Sequence, residues 1–169
     1  MTAYQIDDAR TPKLTKRSLA PAELAALIRA AIADGHHISF NAPGSSMLPF
    51  IRSEDKIFVA PAGFDSIRVG DVLVFVQPKS GHVIAHRVVK LQGSRVLCKG
   101  DNVPALFDGW IYSEDILGRV VKVQRHGKPV RLGLRLGKSL IAWLSRKKVL
   151  VPLMNIPRRV KRVLSALQM

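Results

Sequence analysis

DVLVFVQPKSGHVIAHRVVKLQGSRVLCKG, residues 71–100, decides the fold class. Three Val/Ile-rich runs, DVLVFVQ, HVIAHRVVKL and RVLCKG, are parted by PKSG and LQGS. β-Branched side chains favour extended backbone, whereas Gly, Pro and Ser clusters mark turns, so the stretch predicts consecutive short strands. Working outward, KIFVAP (56–61) and HISFN (37–41) continue the pattern upstream, and the turn GDNVP (100–104) and the run RVVKVQ (119–124) continue it downstream. Together they predict a mainly β domain of curled sheets over residues 37–124.

The flanks read differently. Residues 1–36 form an N-terminal tail and helix, in which 1–19 are expected to be loosely attached and PAELAALIRAAIAD (21–34) is expected to be helical. Pro21 suits a first turn, Glu23 sits near the positive end of the helix dipole, and Gly35 stops the helix. Leu24, Leu27, Ile28 and Ile32 fall on one stripe. Residues 125–169 are expected to form a basic helical extension, with LGLRLGKSLIAWLSRKKVLVPL (132–153) and RRVKRVLSALQM (158–169) as amphipathic segments separated by Pro152 and Pro157.

Composition limits the function classes. At 169 residues and 47% hydrophobic content, one domain with extensions and a real core is expected. The single cysteine, Cys98, forms no intramolecular disulfide and reads as a buried strand residue. No secretory signal pattern opens the chain and no run of about 18 apolar residues occurs, so a cytoplasmic or peripheral membrane location is expected. The net charge is +15, and from Gly118 onward there are fourteen Lys or Arg and no Asp or Glu. Such a tail seeks an anionic partner, and basic residues beside Trp143 and several leucines suit an anionic membrane surface; the same pattern equally suits a helix packed on the β domain. Nucleic acid is disfavoured, because no aromatic stacking pattern lies on the strands. A non-catalytic basic module for nucleic acid or an acidic partner stands as an alternative. Scattered histidines (His36, His37, His82, His86, His126) spell no metal site: His82 and His86 are four apart, a spacing for a helix, and they lie in a strand. No cofactor is implied.

Three short segments carry candidate chemistry. NAPGSSMLPF (41–50) is an irregular turn in which Gly44 leaves the backbone open and Met47 and Leu48 offer apolar side chains to a groove. Its serines need a base within reach to act as nucleophiles. IAHRVVKL (84–91) places His86, the side chain suited to proton transfer near neutral pH, inside a strand. KGDNVPALFD (99–108) supplies Asp101 and Asp108, either of which is able to orient a histidine.

Taken in order, these segments resemble the signal peptidase I family, and within it the endoplasmic-reticulum and archaeal type. Ser46-Met47-x-Pro49 is similar to the nucleophile box, Gly70-Asp71-Val72 to the Gly-Asp-hydrophobic strand, His86-Arg87-Val88 to the general-base segment, and Gly100-Asp101-Asn102 followed by Asp108 to the final box. The resemblance covers about Ile38 to Val123. It implies a serine endopeptidase for signal or leader peptides, with a fold shared with phage-repressor-type peptidases. It further implies Ser46 as nucleophile, His86 as general base, and Asp108 as the orienting acid with Asp101 as second candidate. Ser45 and the Ser46 N–H are the implied oxyanion hole, Met47 and Pro49 the implied substrate contacts, and the substrate is a peptide or preprotein bound as an extended strand. A self-cleaving repressor-type peptidase is the closest rival, with Lys90 as its base. Lys90 lies about 13 Å along the strand from His86, so both cannot serve one site.

Overall fold

The computed structural model describes residues 4–5, 20–103, 106–130 and 137–147. Its elements in chain order are β1 (Tyr4–Gln5), α1 (Pro21–Ala33), β2 (Ile38–Asn41), β3 (Lys56–Ala60), β4 (Val72–Val76), β5 (Val83–Gln92), β6 (Arg95–Lys99), β7 (Trp110–Tyr112), β8 (Ile116–Arg125), β9 (Lys128–Pro129) and α2 (Lys138–Arg146). The strands form one sheet ordered β1-β2-β3-β8-β4-β5-β6-β7, with β9 added to β8. The protein is therefore mainly β, as the alternating Val/Ile runs predict.

Antiparallel hairpins explain most of the order. PKSG joins β4 to β5 and LQGS joins β5 to β6. The exception is β8, which returns between β3 and β4 and pairs with both through register shifts at Phe58/Val59 and Val74/Phe75. Such irregularities bend a strand and curl the sheet. Tyr4 and Gln5, expected to be loose, pair with Phe40 and Ser39 of β2.

VLVFV reads as a continuous apolar run because both faces of β4 are covered. Val72 and Val74 pack with Leu24 and Ile28 of α1 and with Ile57, Val59 and Val120. Leu73 and Phe75 pack with Ile67, Val88, Val96, Cys98 and Ile111 on the other face. Helix α1 starts at Pro21, with the Ala20 N–H donating to Glu23 Oε2 at 3.0 Å.

Of the expected C-terminal segment, Lys138–Arg146 form α2, and residues 132–136, 148–153 and 158–169 lie outside the described residues. α2 contacts β5 and docks against backbone: a Cβ at Gly70, whose φ is +96°, would come within 2.8 Å of the Lys138 carbonyl. Lys138 Nζ donates to Asp71 Oδ1 at 2.6 Å, and the buried Lys99 Nζ donates to Ser145 Oγ at 3.2 Å. The expected division at residue 124 falls inside β8, and α2 lies on the sheet that it follows.

Candidate active site

β5 sets the site by simple alternation. Successive strand residues point to opposite faces, so His86 and Arg87 meet different partners. His86 stands opposite Leu73 of β4 and meets the Phe75 ring edge-on, with centroids 6.5 Å apart. Its Nδ1 lies 2.7 Å from Asp108 Oδ2, and its Nε2 lies 2.9 Å from Ser46 Oγ. An ionised carboxylate only accepts, so Nδ1–H donates to Asp108, and Nε2 accepts the Ser46 hydroxyl proton. The His86 and Asp108 side chains are 11% and 8% exposed, which shields their contact from water.

Asp101, the second candidate for orienting His86, is elsewhere. Its carboxylate accepts from Arg87 Nε at 2.9 Å and from Arg87 Nη2 at 2.6 Å, both side chains being fully buried. Arg87 Nη1 donates in turn to the Gly70 carbonyl at 2.8 Å, and its guanidinium lies 5.6 Å from the Phe50 ring centre. Asp101 thus belongs to a sealed ion pair joining β5 to two turns. Lys90, the rival base, lies over the Trp110 ring at 5.4 Å and donates to Gln92 Oε1, so it is directed away from Ser46.

The loop carrying Ser46 is fixed from both sides. Ala42 N–H donates to the Asp55 carbonyl, and Leu48 N–H donates to the Ser45 carbonyl. Asn102 N–H donates to the Ser46 carbonyl at 2.7 Å, and Asn102 Nδ2 donates to the Ser45 carbonyl at 3.2 Å. Gly100 lies at the contact between loop and imidazole: a Cβ there would be 2.9 Å from the Ser46 carbonyl oxygen, 3.1 Å from His86 Nε2 and 2.8 Å from Val103 Cγ2. This close approach explains the glycine of GDN better than a turn requirement does.

Beside Ser46 and His86 opens a cavity of about 100 Å³, mostly apolar, lined among others by Phe40, Ala42, Met47, Ile57, Val74 and Ala85. Met47 is buried and lines it, whereas Pro49 and Ser45 are exposed and do not. Along the cavity, Val83–His86 of β5 pair with β4 alone among the described residues, since β6 begins pairing at Arg87.

A family model described as signal peptidase, peptidase S26, matches residues 13–122, well over half of the chain. The chain belongs to this family. The comparison with curated proteins and the comparison with solved structures each found no match. Membership makes the protein a peptidase associated with signal-peptide processing and implies a peptide or preprotein substrate. The matched segment takes in every residue of the site and ends within β8, so α2 is an addition beyond it.

Sequence reading passed over Gln77 of this S26 peptidase, whose Nε2 donates to Asp108 Oδ1 at 3.3 Å. The available signal was the PKSG turn that follows it. Cys98, on β6 behind Asp108, is fully buried. Burial pushes its thiol well up and the Asp108 charge adds to this, so the thiol stays protonated and inert. Among the described residues no helix is long and apolar enough to cross a membrane.

Proposed function

We propose that this S26 peptidase is a serine endopeptidase in which Ser46 is the nucleophile, His86 the general base and Asp108 the residue that orients it. The supporting observation is the unbroken row of contacts, 2.9 Å from Ser46 to His86 and 2.7 Å from His86 to Asp108. Ser46 Oγ attacks the scissile carbonyl carbon while its proton passes to His86 Nε2. Asp108 stabilises the imidazolium that forms. The Ser46 N–H, which has no acceptor among the described residues, stabilises the oxyanion. On collapse, His86 returns the proton to the leaving amine and the acyl group stays on Ser46. Water, deprotonated by His86, then hydrolyses the ester.

The substrate enters as an extended strand against the edge of Val83–Ala85 that no other described strand pairs with, and the apolar cavity takes the side chain before the cut. Edge pairing supplies backbone hydrogen bonds, and the pocket supplies selectivity. The test is cleavage of a peptide library that varies this position, with fragments read by mass spectrometry. Cleavage after small apolar residues, absent in Ser46→Ala, is expected. Equal cleavage by Ser46→Ala would overturn the assignment.

A second reading concerns location. The outer face of α2 exposes Leu140 (61%) and Trp143 (55%) beside the exposed Arg146 and Lys147. We infer that this face lies on an anionic membrane surface, with Trp143 and Leu140 in the interface and the cations at the headgroups. Co-sedimentation with anionic vesicles, lost in Trp143→Ala and absent with neutral vesicles, is the expected result; binding unchanged by the substitution would contradict it.

A further inference from the structure

Asp108 has two oxygens, and His86 takes only one. The other, Oδ1, accepts from Gln77 Nε2 at 3.3 Å. Gln77 is the last residue before the β4–β5 turn, and that turn holds it by backbone and side chain. Its N–H donates to the His82 carbonyl at 2.8 Å, and its carbonyl accepts from Ser80 N–H and Gly81 N–H. Ser80 Oγ donates to Gln77 Oε1 at 2.6 Å and accepts from His82 N–H at 3.3 Å.

Counting donors gives the row a single sense. A carboxylate only accepts, so the Gln77 amide turns its N–H₂ toward Asp108 and its oxygen toward Ser80. The single Ser80 hydroxyl proton then goes to Gln77 Oε1. Both carboxylate oxygens are then engaged, Oδ1 by Gln77 and Oδ2 by His86. Rotation of the carboxylate that would carry Oδ2 away from the imidazole breaks the Gln77 bond.

We propose that Gln77, set by Ser80, is a positioning residue for the peptidase reaction: it locks the Asp108 carboxylate in the plane that His86 requires. The proposal rests on the Ser46–His86–Asp108 reading and extends that row to two residues of the PKSG hairpin.

Gln77→Leu is the discriminating substitution, read beside Gln77→Glu. Leucine removes the donor toward Asp108 and adds no charge, whereas glutamate removes the donor and also sets a second carboxylate beside Asp108. Loss of rate in both marks the donor; loss in Gln77→Glu alone marks only the added charge. The readout is labelling of the full chain by a fluorophosphonate probe, with the rate resolved into a maximal rate and a half-saturating concentration. It is paired with the low-field NMR resonance of the His86 Nδ1 proton and with the melting temperature. Gln77→Glu and Gln77→Leu are expected to lower the maximal rate about tenfold, the size of one charge-assisted hydrogen bond. The half-saturating concentration stays unchanged, and the Nδ1 proton signal shifts or broadens. Ser80→Ala is expected to show the same signature at about threefold. Melting of Gln77→Leu is expected to stay close to the parent, because the backbone bonds of Gln77 to the turn remain.

Parental labelling and an unmoved proton signal in Gln77→Leu would overturn the proposal. Asp108→Asn is measured alongside. If it abolishes labelling while Gln77→Leu does not, only the positioning role fails. If Asp108→Asn labels normally, the underlying Ser-His-Asp reading fails instead.

Discussion

His86 and Arg87 are neighbours on one strand, each bonded to an aspartate from the same downstream segment, and they do opposite things. Arg87 and Asp101 are sealed at 0% exposure, with an always-charged guanidinium gripping a carboxylate at several points. His86 lines a cavity, with Asp108 on one side of its ring and the Ser46 hydroxyl on the other. The first pair has no free valence and no access, so it joins β5 to the Gly70 turn and the 100–103 turn. The second keeps one ring nitrogen facing a serine, so its charge can change during a reaction. Chemistry here depends on which face of the strand a residue occupies and on what is left open, not on the type of acid.

The largest expected effect breaks this comparison in one step. Asp108→Asn is expected to leave the fold intact and to lower the rate of Ser46 acylation by about 10⁴, the scale found when a triad carboxylate loses its charge. Labelling kinetics measure the rate and circular dichroism the fold. Asp101→Ala is expected to do the reverse. It strands a buried guanidinium and is expected to cost about 3–5 kcal/mol of stability, read by urea denaturation, while the protein that remains folded keeps its labelling rate. A large rate loss in folded Asp101→Ala would erase the distinction.

Gly100→Ala sharpens the boundary between the pairs, since Gly100 follows the buried Lys99 and touches both Ser46 and His86. The added methyl is expected to cost about 1–3 kcal/mol and to lower the labelling rate by displacing the imidazole from Ser46. Retained rate with reduced stability would show that the loop yields and the ring does not.

Asp55 offers a third case with the smallest effect. Burial pushes its carboxyl up, but the bonds from Arg125 at 2.7 and 2.9 Å and from the Arg52 N–H at 2.8 Å outweigh this and hold it below the usual carboxylate range. A carboxyl lowered by folding contributes stability above its unfolded value and loses that contribution as pH falls through its folded value. Asp55→Asn is therefore expected to be less stable near neutral pH and to show a flatter acid limb in a series of melting curves. An unchanged acid limb would remove Asp55 from the bonds that hold the Ser46 loop.

Much of this was legible in the sequence, for reasons that differ by residue. The runs VLVFV and VIAHRVV announce strands because β-branched residues and period-2 contacts are local properties. Ser46, His86 and Asp108 were named as candidates by their order and by the resemblance, which put Asp108 ahead of Asp101. That Asp108 meets His86 while Asp101 meets Arg87 turns on the pleat of β5 and the path of the 100–108 segment. Strand β7, WIY between Gly109 and a Ser-Glu-Asp turn, is too short to show a period. The docking of α2 rests on Gly70 meeting the Lys138 carbonyl, a backbone approach that no pattern in the helix records. Gln77 was hidden for the same reason, since its partner Asp108 stands 31 residues away.

The central claim, that Ser46 is the nucleophile and is activated by His86, is tested most directly by mapping the adduct of a fluorophosphonate probe by mass spectrometry in the parent chain and in His86→Ala. A single adduct on Ser46 in the parent, and none on Ser46 in His86→Ala, is the expected result. An adduct on another serine, or equal labelling of Ser46 without His86, would contradict the account.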